Sequence, residues 1–303
     1  MMYNYQREQL NITEDSNVII SIGCSFAEGQ GAIPDYLWQK YDFRKEKRGD
    51  DVRFDELDIE HENAFVSQLC KHYATDYIPI NLGHRGKGNK PGIKELTTFS
   101  DDLNLKKANN VIVILFSTEQ NRLDLVMSDN HEDHRRFETI WPFEWDGIKT
   151  NPTKKWWDAY RDNYTELMSV VEWLLNVREL QMWCELHGAK LVVSSAFSQL
   201  ISKDYFNEVL DVNEFLKKYK NIFDWDKYFF KPRGYNTFSD LLCSFDERLD
   251  ESYIGNMNFY NYFYENGGYP GSYWTGCAHP SIKGHRSIAE TFHNFFIENG
   301  FYE

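Results

Sequence analysis

Four short apolar runs punctuate the chain, at 18–22, 77–81, 111–116 and 191–195, each rich in β-branched or aromatic residues and each ending in small or polar ones. Runs apolar on both faces of the pleat predict buried parallel strands. Between them apolar positions recur at helical spacing. The stretch 62–73 sets Phe65, Val66, Leu69, Cys70 and Tyr73 on one face. Similar patterns cover 93–103, the long stretch 156–187 that Gly188 stops, and a last helix over 282–297. Alternating strands and helices predict an α/β fold with a doubly wound, mostly parallel sheet and right-handed crossovers. In such sheets ligands bind beyond the carboxyl ends of the strands, so functional residues are expected just after the four runs.

Three segments break the alternation, 34–60, 127–155 and 201–275, and read as insertions into one domain spanning 1–303. The last is too long for a plain loop and predicts short helices of its own, around 206–219 and 237–242. Emerging between the fourth strand and the closing helix, it is expected to cover the site as a lid. Trp225, Tyr235, Tyr269 or Trp274 would then face the pocket. The segment 127–155, with Trp141, Pro142, Phe143 and Trp145, is expected to flank the same end.

Composition narrows the partners. Hydrophobic residues make up 42% and charged residues 26%, an ordinary globular balance with no run long enough for a membrane span. Lys plus Arg is 33 against Asp plus Glu 47, and the net charge of -14 argues against unassisted binding to nucleic acid or an anionic membrane. Small or neutral partners are expected. Five cysteines, spread and without a CxxC pair, indicate neither a disulfide framework nor a zinc site. The polar residues 1–17 lack the order of a secretion signal, so a cytoplasmic or other intracellular, reducing setting is expected.

The chemistry gathers in three places. The first run enters Gly23-Cys24-Ser25-Phe26-Ala27-Glu28-Gly29, where a glycine-flanked turn can expose a serine hydroxyl, although a serine after a strand is commonly only a helix cap. The second enters Asn81-Leu82-Gly83-His84-Arg85-Gly86, a loop whose glycines let backbone N–H groups approach a ligand oxygen. It lacks the spacing of a phosphate-binding loop. Before the last helix stands His279-Pro280-Ser281, with the histidine held extended by the proline. A structural histidine is the plainer alternative.

Together these motifs and their order resemble the SGNH, or GDSL-like, hydrolase superfamily. Gly23, Ser25 and Gly29 match its first block, with Cys24 in place of the aspartate. Asn81 and Gly86 match the second, and His279-Pro280 the fifth. The resemblance covers about 17–123, 190–196 and 274–303, leaving the insertions unmatched, and implies a flavodoxin-like three-layer fold. It implies Ser25 as nucleophile, His279 as base, the N–H groups of Ser25 and Gly86 as oxyanion donors, and no cofactor. Asn81, Arg122 and Trp274 are further candidates for substrate contact.

The chain departs from the family at two points. The third-block asparagine is replaced by Thr118, whose hydroxyl is a shorter donor, or its role passes to Asn121. The acid position three residues before His279 holds Gly276. The histidine is then oriented by a backbone carbonyl, or by a carboxylate of the insert such as Asp240, Asp246 or Glu265, or the site no longer catalyses. His131-Glu132-Asp133-His134 lacks the helical spacing of a metal site and reads as a solvated loop. The sequence therefore predicts a serine esterase or carbohydrate O-deacetylase. Its alternative is a catalytically silent module of the same fold that binds a glycan or a protein through its inserts.

Overall fold

The four apolar runs pair into one all-parallel sheet in a computed structural model that describes residues 10–34, 54–84, 86–100, 103–126, 137–140, 158–268, 271–276 and 278–303. In chain order the strands are β1 (Asn17–Gly23), β2 (Tyr77–Gly83), β3 (Asn110–Ser117), β4 (Leu123–Val126), β5 (Phe137–Ile140) and β6 (Lys190–Ser195). The sheet order is β2-β1-β3-β6, and β4 pairs with β5 as a separate antiparallel ribbon. The registers Gly23↔Gly83 and Gly23↔Phe116 bring the carboxyl ends of the three neighbouring strands level. The segments leaving those strands therefore meet at one edge of the sheet.

Besides a short helix over 158–163, the described residues form α1 (Ser25–Glu28), α2 (Phe54–Asn63), α3 (Phe65–His72), α4 (Lys90–Phe99), α5 (Glu166–His187), α6 (Lys203–Leu210), α7 (Trp225–Tyr228), α8 (Phe238–Phe245), α9 (Asn258–Asn266) and α10 (Ile282–Glu298). Because side chains alternate along a strand, Val18, Ile20, Ile22, Val113 and Leu115 face a layer holding Ile93 and Leu96 of α4 and Val170, Leu174 and Val177 of α5. Ile19, Ile112, Ile114 and Phe116 face the opposite layer with Phe65, Val66 and Leu69 of α3 and Ile288, Phe292 and Phe296 of α10. Both faces of the sheet are thus covered, as near-continuous apolar strands require.

Two stretches expected as single helices are divided. The pattern over 62–73 breaks at Ala64, between α2 and α3. In 156–187, residues 158–163 form a short helix of their own, and Thr165 restarts the chain as α5 by accepting the Met168 N–H at 3.2 Å. Gly188, in the left-handed region at φ 67, ends α5. The expected helix over 206–219 is α6 followed by a 3-10 segment, Leu216–Asn221.

The long insert corrects a larger expectation. Of the four rings expected to face the pocket, Trp225 and Trp274 are buried instead, one in the core of each layer. Trp225 is buried and stacks on Trp173 with centroids 5.4 Å apart, and Trp274, 1% exposed, packs against Phe26, Phe259 and Phe263. Tyr235 is partly buried on the Trp274 layer. Phe229 bridges Val193 in parallel, and the Phe230 N–H donates to the Val193 carbonyl at 2.8 Å, extending the sheet past β6. Tyr269, the 131–134 cluster, and Trp141, Pro142, Phe143 and Trp145 lie outside the described residues. Among the described helices none is long and apolar enough to cross a membrane.

Candidate active site

Two glycines shape the turn after β1. At Gly23, φ +157, a Cβ would meet the Phe116 carbonyl oxygen at 2.4 Å; at Gly29, φ +102, it would meet that of Glu60 at 2.6 Å. No other residue fits either place without moving backbone. Between them α1 begins with Cys24 as its cap, and Ser25 is the first helical residue. The serine hydroxyl is therefore not used as a helix cap. Its backbone N–H, one of the unsatisfied donors at a helix start, takes no acceptor among the described residues.

Asn81 holds this turn in place. It is 4% exposed, its Nδ2 donates to the carbonyls of Ala27 (3.0 Å) and Glu28 (3.1 Å), and its Oδ1 accepts from the Gly83 N–H (2.9 Å) and Ser21 Oγ (3.2 Å). Its amide ties the end of β2 to α1, and the expectation that Asn81 contacts substrate is corrected by that burial.

His279 reaches Ser25 across 254 residues of sequence, with Nε2 2.9 Å from Oγ. Its backbone is clamped by Thr275: Thr275 Oγ1 donates to the His279 carbonyl at 2.9 Å, as does the Thr275 N–H, and the His279 N–H donates back to Oγ1 at 3.3 Å. Ala278, at φ +56, takes a left-handed conformation that non-glycine residues rarely adopt, one residue before the imidazole. Phe26, beside Ser25, packs on the imidazole with centroids 5.4 Å apart. Beneath, on α10, His285 is fully buried, and its pKa is pushed down to about 3 by burial and then by the neighbouring His279, with the Gln30 backbone opposing. Of the two imidazoles only His279 is placed to exchange a proton.

The carboxylates suggested as replacements for the missing acid are engaged elsewhere. Asp240 accepts from the Gly255 N–H at 2.7 Å and from Gln199 Nε2. Asp246 accepts from Ser272 Oγ at 2.8 Å and from the Arg248 N–H at 3.2 Å, and Glu265 is exposed on α9. At Gly276, where the acid of the resembled SGNH pattern would stand, a Cβ would press on the backbone of Gly267 and Gly268 at 3.2–3.3 Å. A carboxylate there needs that backbone to move.

The remaining candidates separate. Gly86 sits exposed on the turn after β2 at φ +70, its N–H without an acceptor among the described residues. Thr118 is fully buried and its Oγ1 donates to Glu119 at 3.3 Å, which removes it as a free side-chain donor. Asn121 accepts the Tyr160 hydroxyl on its carbonyl at 3.2 Å, and no contact among the described residues joins it to Ser25 or His279. Arg122 binds the Glu119 carboxylate through Nε and donates to the Lys87 carbonyl at 2.9 Å through Nη1. Trp274 is core, which corrects its assignment to substrate contact. Burial pushes the Cys24 thiol up, against the pull of Arg122, so it stays protonated beside the Ser25 hydroxyl.

Sequence reasoning passed over Asn89. It stands at the cap position of α4 yet makes no side-chain cap bond; its Oδ1 instead accepts the Thr118 N–H at 3.0 Å, and its Nδ2 takes no acceptor among the described residues. An asparagine two residues after Lys87, in the same glycine-rich loop as Gly86, was the available signal. Among the described residues no group of three or more His, Cys, Asp or Glu side chains could hold a metal. No family model, no curated protein and no solved structure matches the chain.

Proposed function

We propose that the chain is a serine ester hydrolase of the SGNH type, removing a small acyl group, such as O-acetyl, from an alcohol or carbohydrate. The observation that carries this reading is the 2.9 Å approach of His279 Nε2 to the Oγ of a serine whose own N–H is unused. Ser25 Oγ attacks the ester carbonyl carbon while its proton passes to His279 Nε2. The oxyanion is held by the N–H groups of Ser25 and Gly86, with Asn89 Nδ2 taking the place of the family's third-block asparagine. Collapse expels the alcohol, which takes the proton from His279, and water repeats the cycle on the acyl-serine. No step calls for a cofactor. The rival reading, a silent binding module, rests on aromatic faces offered by the inserts; of these Trp225 and Trp274 are buried, and Trp141, Phe143 and Trp145 lie outside the described residues.

Hydrolysis of p-nitrophenyl acetate tests the reading. Ser25→Ala and His279→Gln should each lower turnover by about 10³-fold or more with the melting temperature unchanged. Turnover indifferent to Ser25→Ala would defeat it.

A further inference from the structure

α5 is apolar on two opposite sides. Val170, Trp173, Leu174, Val177, Leu180 and Cys184 are buried against the sheet layer. Met168, Leu175, Met182 and Leu186 are 45, 48, 55 and 81% exposed. At 100° per residue these four fall within a stripe about 40° wide, centred roughly opposite the buried face. Met168, Leu175 and Met182 are spaced seven apart, the repeat that keeps a seam facing a partner helix. A second apolar stripe on the outer side of a helix ordinarily has something to cover it.

The charges beside the stripe say what covers it. On a two-fold axis through Leu175, with two α5 helices antiparallel, residues pair when their numbers sum to 350. Leu175 then meets Leu175, Met168 meets Met182, and Arg178 meets Glu172 of the second copy, each of the last two pairings occurring twice. Arg178 and Glu172 are 35 and 32% exposed, so both can be reached. Within one copy, among the described residues, Arg178 has only a distant contact with Glu185 at 3.9 Å, and Glu172 a single ion pair with Lys90 at 3.4 Å. Glu179, at the rim, remains on Lys94 at 2.6 Å. We infer that the outer face of α5 is the dimer interface of this chain, joining two copies antiparallel about Leu175 with reciprocal Arg178–Glu172 ion pairs. A seam of one helix per copy is smaller than the roughly 800 Å² per partner of a standard interface, so the dimer is reversible, with a Kd on the order of 10 µM. It uses neither Ser25 nor His279 and stands independently of the esterase reading.

Sedimentation velocity of the full chain, from about 1 to about 200 µM, reads the equilibrium. The mass should climb from 36.0 kDa towards twice that value. Leu175→Asp should abolish the rise. Arg178→Glu should weaken the dimer at least about 10-fold, since it sets like charges opposite each other twice, and Glu172→Arg added to it should restore association. These surface charge changes keep the test valid if Leu175→Asp fails to fold by circular dichroism. A wild-type chain that stays monomeric, a dimer indifferent to Leu175→Asp in a folded variant, or a charge swap without rescue would each overturn the inference.

Discussion

The carboxyl ends of β1 and β3 are level neighbours, yet they are finished differently. After β1 the chain leaves donors unused: among the described residues the Ser25 N–H has no acceptor and the serine hydroxyl meets only the imidazole of His279. After β3 the polar groups are tied to one another. Thr118 binds Asn89 and Glu119, Arg122 binds Glu119 and the Lys87 carbonyl, and Asp124 accepts the Gly88 N–H at 2.9 Å. Both ends are rich in residues that can do chemistry, but a group can stabilise a new charge only through a hydrogen bond it has not already made. On the proposed function the β1 end is the reactive one, and the β3 end, its hydrogen bonds already made, is its support.

Asn89 spans the two regions and gives the sharpest test of that difference. Removing its unused amide donor in Asn89→Ala should cut kcat about 100-fold with KM within about 3-fold, as for loss of one oxyanion donor. Thr118→Val, at the supporting end, should change kcat by less than about 3-fold while lowering stability by roughly 1 kcal/mol. If steady-state kinetics show the two variants equally impaired, the distinction between the ends is wrong.

Asn81 tests the opposite role, a polar residue beside the serine that is fully engaged. Asn81→Ala leaves the Ala27 and Glu28 carbonyls and the Gly83 N–H without their partner, and urea unfolding should show a loss of about 2–3 kcal/mol. A variant of unchanged stability would contradict the view that Asn81 holds α1 against β2.

A pH dependence separates the two imidazoles of the β1 end. His285, held near 3 in the folded chain, gains a proton on unfolding at pH values between about 3 and its ordinary 6.5. The unfolded state binds more protons in that window, so stability rises with pH there and falls as the solution is acidified below about 6.5. This group contributes at most about 1.4 kcal/mol per pH unit. The acid slope of unfolding free energy should be shallower in His285→Gln, and parallel slopes would show that the residue does not titrate as its burial implies.

The strands were legible because burial on both faces leaves no polar alternation to blur them. All four expected runs lie inside observed strands, with ends extended by two residues at most. The break before α5 was harder to see, since the apolar pattern continues across Tyr164 and only the cap at Thr165 interrupts it. The insert misled for a related reason: aromatic content marks large apolar area but not which way it faces, and here Trp225 and Trp274 complete opposite layers. For Ser25 and His279 local turn chemistry left a helix cap and a structural histidine open, and it was the resemblance of their blocks that paired them; the structure sets their side chains 2.9 Å apart. Asn89 was not legible, because its role depends on Thr118, 29 residues on, drawing its carbonyl oxygen away from the helix cap.

The central claim is that Ser25 is a nucleophile activated by His279, and covalent labelling reads this without knowledge of the natural substrate. A fluorophosphonate probe, followed by peptide mass spectrometry, should place one phosphonyl group on Ser25. Labelling should slow about 100-fold or more in His279→Gln, since the hydroxyl then has no base to take its proton. Modification at another residue, or labelling of Ser25 at an unchanged rate in His279→Gln, would contradict the account.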